Sequence, residues 1–152
     1  MPQFSITRRM EFSPPQVFAV VADVASYKEF LPLVERSTVR NRQPAEAGHE
    51  SFSADLIVAY DKLRIREEFA SHVETSLSKL FVRAASSGKA VKRLNSTWQI
   101  AGAADHGSDI TFTVDYEMKN PMLQVLLGGM FDTVARKIMG AFEARAKALY
   151  SV

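Results

Sequence analysis

The 152-residue sequence contains no cysteine. This absence excludes a disulfide framework, a thiol nucleophile and a thiolate metal site. The sequence also lacks an apolar run approaching the roughly 20 residues that a membrane-spanning helix needs, and its opening letters, MPQFSITRRMEF, lack the apolar core of a secretory signal. The net charge is small too. A value of +2 is too weak to indicate a nucleic-acid partner. We therefore expect a cytoplasmic protein that does not bind DNA.

Catalytic motifs are also missing from the sequence. It has no phosphate-binding loop, no dinucleotide-binding glycine pattern and no nucleophile elbow. His49, His72 and His106 are not spaced as metal ligands on one helix. The neighbouring carboxylates of Glu67 and Glu68 alternate faces on an expected strand, so at most one of them points inward. The residues alone therefore predict a protein that is not an enzyme, with neither a metal nor a cofactor.

The composition that is present is typical of a globular domain. Hydrophobic residues make up 47% of the chain and charged residues 24%. The length suits one domain over residues 1–152, since domains commonly hold about 100–200 residues. We find no internal repeat, linker or low-complexity segment that would divide the chain.

The first part of the chain predicts a strand followed by short helices. SITRRMEF alternates as a strand does, and Ser13, Pro14 and Gln16 then form a capping box with proline at the first helical position. A second helical turn is expected over residues 26–30. Pro32 ends it, because the residue before a proline is biased toward extended geometry. The unbroken apolar run 30–34 lies at this junction, where polar turn residues are normally found.

From Arg36 to Met118 the pattern predicts consecutive strands, and a long helix follows. Phe52, Ala54, Leu56, Val58 and Tyr60 share one parity. The clearest alternation covers residues 110–118, which predicts a strand with one buried face and one wet face. Asn120 and Pro121 then begin a helix of about 45 Å, at 1.5 Å per residue. Consecutive strands indicate an α+β domain with an antiparallel sheet.

Two long segments resemble one known family. VFAVVADVASYKEFLPLVERSTV and ITFTVDYEMKNPMLQVLLGGMFDTVARKIMGAFEARAKALY are similar to the coenzyme Q-binding START-like family, which includes a ribosome-association toxin and is grouped with polyketide cyclases and dehydrases. RLNSTWQI fits the strand between them. The resemblance implies a helix-grip fold of the START/Bet v 1-like kind. In that fold a curved antiparallel sheet wraps around a long C-terminal helix, two short helices follow the first strand, and a cavity is enclosed.

The resemblance also implies a function and a set of ligand-binding residues. The expected function is non-catalytic binding of a hydrophobic isoprenoid or lipid, foremost ubiquinone, as a carrier or chaperone for respiration. Peripheral contact with the inner membrane is left open. The hydroxyl of Tyr60 or Tyr116 is a candidate donor to a quinone carbonyl. The expected lining residues are Phe30, Leu31, Leu33, Phe52, Leu56, Val58, Leu63, Ile65, Trp98, Phe112, Val114, Tyr116, Met130, Phe131 and Val134.

Two other functions stay open from the sequence. A ribosome-associated factor that blocks subunit joining would need arginines clustered on one surface, because phosphate is bound by concentrated positive charge. An aromatase or cyclase would need acid or base residues facing inward, since a fold alone does not establish chemistry.

Overall fold

A computed structural model describes residues 3–44, 48–60, 64–119 and 121–150. Within these ranges seven strands form one antiparallel sheet in the order β1-β7-β6-β5-β4-β3-β2. The elements are β1 (Gln3–Met10), α1 (Pro14–Ala22), α2 (Tyr27–Phe30), β2 (Val34–Pro44), β3 (His49–Tyr60), β4 (Ile65–Ser76), β5 (Phe81–Gly88), β6 (Val91–Gly102), β7 (Ser108–Met118) and α3 (Pro121–Tyr150). The order confirms the expected α+β helix-grip fold.

Helix α1 begins where its local chemistry predicts. The Gln16 backbone N–H donates to Ser13 Oγ at 3.4 Å, and the Ser13 N–H donates to Gln16 Oε1 at 3.1 Å. This reciprocal pair satisfies two backbone donors that a helix start would otherwise leave without partners. Helix α2 ends before Leu31, whose backbone is extended as the following Pro32 requires.

Strand β7 alternates between a buried face and a half-exposed face along its whole length. Its buried side chains are Ile110, Phe112, Val114, Tyr116 and Met118. The predicted strand is therefore confirmed. The expected helix cap at Asn120 lies outside the described residues.

Helix α3 is anchored firmly along one side. Ala135, Met139, Phe142 and Ala146 are each at most 2% exposed. They recur at helical spacing, so they form a single stripe facing the sheet. The backbone of α3 approaches β1, β7, α1 and α2, and a salt bridge of 2.8 Å joins the edge strand to the helix through Arg8 and Glu143.

An aromatic cluster joins α2, α3 and the sheet. The ring centroid of Phe142 lies 5.4 Å from Tyr27, 5.5 Å from Phe30 and 4.9 Å from Trp98. Trp98 stacks in turn on Phe112 at 4.2 Å. Edge-to-face and offset arrangements of this kind add stabilisation beyond the area they bury. Phe142 therefore connects all three elements.

The strand register places the loops at two opposite ends of the grip. The α2–β2 junction, the β3–β4 and β5–β6 connections and the β7–α3 connection gather at one end, because Val34 pairs with Val58 and Val91 pairs with Met118. We call this the mouth end. Helix α1 lies near β5 and β6 toward the other end. The unusual apolar run 30–34 therefore lies beside the mouth, where the Ala59 N–H donates to the Leu33 carbonyl at 2.8 Å.

Candidate functional site

The centre of the concave sheet face carries small side chains. Ala54, Ser71 and Ser86 are cross-strand neighbours on β3, β4 and β5, and Ala84 pairs with Ser96 on the adjacent row. All share a face with buried core residues of their strands, because side chains alternate along a strand. Bulkier side chains surround them on the same face. The sheet therefore has a shallow depression in its middle.

Larger apolar side chains on the concave face and on α3 are not fully buried. Leu56, Phe69 and Leu94 lie on the sheet and Ile138 lies on α3, and all four pack against the core yet keep part of their surface accessible. Val134 of α3 is half-buried as well. Because protein cores are close-packed, we infer that these accessible side chains border a space between the sheet and the helix. We call this space the central cavity.

Helix α2 provides one wall of the central cavity. Val134 and Ile138 lie on the same flank of α3 as Arg145, as helical spacing requires. The guanidinium carbon of Arg145 lies 5.1 Å from the centre of the Phe30 ring, and its Nη2 is 4.0 Å from Oε1 of Glu29. This flank of α3 therefore faces α2 rather than β1.

A cleft at the mouth end is lined by residues from both faces of the sheet. Its volume is about 950 Å³. Three of its lining residues, Leu56, Glu67 and Phe69, belong to the concave face by strand parity. Gly88 lies close to β4 in this cleft. A Cβ atom there would lie 2.7 Å from the Glu68 carbonyl oxygen and 3.2 Å from the Phe69 ring. Its remaining lining residues are Arg36, Thr38, Asp55, Ile57, Arg66, Glu68, Ala70, Ser87, Lys89 and Lys119.

Tyr116 contributes a neutral hydroxyl beside the helix. Its ring stacks on Phe131 with centroids 5.2 Å apart, and a Cβ atom on Gly128 would lie 3.4 Å from its hydroxyl oxygen. Burial raises the pKa of the Tyr116 phenol above its ordinary value, because the charged form loses hydration. The group is therefore a hydrogen-bond donor at physiological pH. By contrast, the hydroxyl of Tyr27 is used within the fold, since it donates to the Val21 carbonyl.

The structure brings many of the expected lining residues together around the cavity and its mouth. Phe30, Leu31, Leu33, Leu56, Val58, Met130, Phe131 and Val134 are half-buried there. Trp98, Phe112, Val114 and Tyr116 are buried in the core beneath it, each at most 8% exposed. Leu63 lies outside the described residues, and Ile65 and Tyr60 are described only in backbone.

Phe52 lies apart from the other expected lining residues. It belongs to a separate groove of about 310 Å³ with Phe18 and Ala22 of α1, and the guanidinium of Arg42 is 5.0 Å from its ring centre. The predicted set of lining residues does not include Ser71, Ala84, Ser86 and Ser96, nor Phe69, Leu94 and Ile138. Shared strand parity with buried neighbours is the sequence signal that could have identified the small residues.

The arginines on the outer face of the sheet are paired with carboxylates. The closest contacts of four such pairs are Arg9–Asp109, Arg40–Asp55 at 2.9 Å, Arg66–Glu35 at 3.1 Å and Arg93–Asp115 at 2.9 Å. The charges of these four pairs are therefore locally balanced. The described residues also contain no group of three or more His, Asp or Glu side chains that would hold a metal ion.

A curved sheet, a closing helix and an apolar cavity between them define a helix-grip ligand-binding class. A family model described as polyketide cyclase / dehydrase and lipid transport matches residues 10–143. The chain belongs to this family. None of the described helices is long and apolar enough to cross a membrane.

Proteins with several different names are similar to this chain. The ribosome association toxin RatA of Escherichia coli K12 is 27% identical over 151 residues, which span 99% of this chain and 90% of the toxin. The mitochondrial coenzyme Q-binding protein COQ10 of Dictyostelium discoideum is 26% identical over 146 residues, which span 95% of this chain and 69% of that protein. The solution structure of the 18 kDa protein CC1736 from Caulobacter crescentus superposes with a TM-score of 0.84 at 26% identity, covering 100% of both chains.

Proposed function

We propose that this protein binds a hydrophobic isoprenoid or lipid, with ubiquinone as the best candidate, and acts as a non-catalytic carrier or chaperone in respiration. The observation that carries the proposal is the set of half-buried apolar side chains on the concave sheet face and on α3, namely Leu56, Phe69, Leu94 and Ile138. Burying one methylene contributes about 0.8 kcal/mol, so a five-carbon isoprene unit contributes about 4 kcal/mol before ordering costs. The similarity to a coenzyme Q-binding protein supports the choice of ligand.

A site of the usual volume would suit a ring with part of a tail. Small-molecule sites commonly enclose about 300–1,000 Å³, and a long polyprenyl chain does not fit entirely within such a volume. The remainder of the tail would leave through the cleft at the mouth end, which is lined by Leu56 and Phe69. A carrier of this kind shields the ring and the first isoprene units from water.

The charges on the concave face support a binding role rather than catalysis. Among the described residues of that face, Glu67 stands at the cleft, Arg8 is bound to Glu143, and Glu50 is bound to Arg42. Aromatase or cyclase chemistry would need a positioned acid or base near the reacting carbons. Lone Glu67 at the rim does not form an acid–base pair within the cavity.

Binding is tested by titrating the purified protein with decylubiquinone. Trp98 is the single tryptophan of the chain, and it lies beneath the cavity next to Phe142. We expect saturable quenching of its fluorescence with a micromolar dissociation constant. A micromolar constant corresponds to a binding free energy of about 8 kcal/mol, which is what the burial of two isoprene-sized segments provides. Calorimetry on the same samples checks that quenching reflects binding. The absence of both signals would remove ubiquinone as the ligand.

A ribosome-associated function is the second candidate, because the similarity to RatA extends over 99% of this chain. The paired arginines of the outer sheet face disfavour it, since balanced charge attracts phosphate weakly. Co-sedimentation with ribosomal subunits at low salt, lost as salt rises, would support this candidate. Free migration at low salt would remove it.

Ligand exchange at a membrane surface is a further part of the proposal. Arg64, Lys89 and Lys119 are exposed at the mouth end and have no salt-bridge partner among the described residues. Val125 in the first turns of α3 is 78% exposed. Basic residues near an anionic lipid surface contribute about 1 kcal/mol each, and exposed apolar groups add to this by insertion.

We therefore expect the protein to float with anionic vesicles and not with neutral ones. The double variant Lys89→Glu/Lys119→Glu should lose at least about tenfold in vesicle partitioning, because two attractions become repulsions. Lys79→Glu is the matched control, since Lys79 is exposed in the β4–β5 connection at the other end. Equal loss in the control, or equal binding to neutral vesicles, would argue against docking through the mouth.

A further inference from the structure

Two serine hydroxyls lie in the middle of the apolar concave face. Ser71 Oγ and Ser86 Oγ are 2.7 Å apart across the β4–β5 pair. Ser71 is only 6% exposed. The neighbours of the two serines in the same cross-strand row are Ala54 and Leu94, whose side chains have no polar atoms. The pair is therefore a small polar spot in an apolar surrounding.

The pair leaves one hydrogen-bond donor unused. Each serine hydroxyl has one hydrogen to donate and two lone pairs. The bond between Ser71 and Ser86 is the one side-chain hydrogen bond that the described residues provide for either hydroxyl. One hydroxyl donates in this bond, and the hydrogen of the other has no partner. Ser71 is buried whereas Ser86 is half-buried, so when Ser71 donates, the free hydrogen lies on the more accessible hydroxyl, where a ligand acceptor can bond to it in place of water.

The location of the pair fits the inner end of the cavity. The next row toward the mouth contains Leu56, Phe69 and Gly88, which line the cleft. A ligand that enters by the cleft thus passes this row before it reaches the serines. On the other side, Ser86 is separated from Tyr116 by the single strand that carries Leu94, so a second neutral hydroxyl stands in the same row.

We infer that Ser71 and Ser86 bind the oxygen-bearing ring of the ligand, which enters ring first and leaves its apolar tail toward the mouth. This inference rests on the proposed function and specifies which end of the ligand is recognised. The ring must be uncharged and must carry a hydrogen-bond acceptor, such as a carbonyl or ether oxygen. A negatively charged head group is disfavoured, because Arg8 and Arg42, which reach this face, are already bound to Glu143 and Glu50.

The test compares two probes with the same ten-carbon tail. Decylubiquinone carries ring oxygens, whereas decylbenzene carries none. Removing both hydroxyls in Ser71→Ala/Ser86→Ala should weaken decylubiquinone binding about five- to tenfold, as expected for a net neutral hydrogen bond. Binding of decylbenzene should stay within about twofold, because the substitution leaves an apolar floor of nearly the same shape.

Ser5→Ala provides the matched control. Ser5 is exposed on the outer face of β1, where its hydroxyl lies 3.2 Å from Thr113 Oγ1 across the β1–β7 pair, so both affinities should remain at the wild-type value. Thermal melting of all variants, including the two single substitutions, verifies that each is folded at the temperature of the titration.

Three outcomes would overturn the inference. If the double variant binds decylubiquinone as the wild type does, the serines do not recognise the ring, although the cavity proposal stands. If both probes lose affinity equally, the serines act through cavity shape rather than hydrogen bonding. If the wild type binds neither probe, the proposed function falls together with the inference.

Discussion

Replacing Phe142 with alanine is expected to lower the free energy of unfolding by about 3–5 kcal/mol, the range for truncating a buried aromatic residue. Phe142 is 2% exposed and contacts Tyr27, Phe30 and Trp98. Its loss opens a void where α2, α3 and the sheet meet. Because the unfolding free energy of a domain is commonly about 5–15 kcal/mol, the variant should be near the limit of folding.

Urea denaturation followed by circular dichroism measures this effect. Leu149→Ala serves as the control, since Leu149 lies on the same helix but is 53% exposed. Its substitution should change stability by less than about 0.5 kcal/mol. A cost below about 1 kcal/mol for Phe142→Ala would mean that α3 is not held through this aromatic cluster.

Replacing Ala84 with phenylalanine is expected to abolish ligand binding while leaving the protein folded. Ala84 lies in the small-residue depression of the concave face and is half-buried. A benzyl group there would occupy the space proposed for the ligand ring. We expect decylubiquinone affinity to fall by at least about 30-fold, or about 2 kcal/mol.

Stability decides between a cavity and a filled core at this position. Forcing extra groups into a well-packed core costs about 1–3 kcal/mol, whereas filling an empty space costs little. Ala85→Phe is the matched control, because Ala85 is exposed on the opposite face of β5. A strongly destabilised Ala84→Phe variant would indicate that side chains already occupy the depression.

Local chemistry was sufficient to predict much of the fold. The Ser13–Gln16 capping box fixes the start of α1, and strict alternation identifies β7 and its buried face. Pro121 identifies the first helical residue of α3. Each of these signals depends on near neighbours along the chain. The helix-grip arrangement itself came from the resemblance, because no local pattern encodes how a sheet curves around a helix.

The site was harder to predict than the fold, for a physical reason. A cavity floor is defined by missing bulk, so Ser71, Ala84, Ser86 and Ser96 were not found by a search for large apolar residues. Phe52 shares strand parity with Leu56, yet it lies under α1 in a different groove. Parity gives the face of a residue, but the helix that covers that face is set by tertiary structure.

We propose that an apolar space, reachable from solvent, separates the curved sheet from α3. Methyl-labelled NMR of the protein with decylubiquinone probes this space. We predict intermolecular NOEs from the ligand to the methyls of Val134, Ile138 and Leu56, which are half-buried on α3 and on the concave sheet face, and none to the exposed Leu77 and Leu149. NOEs confined to Leu77 and Leu149, or none at all under saturating ligand, would contradict the account.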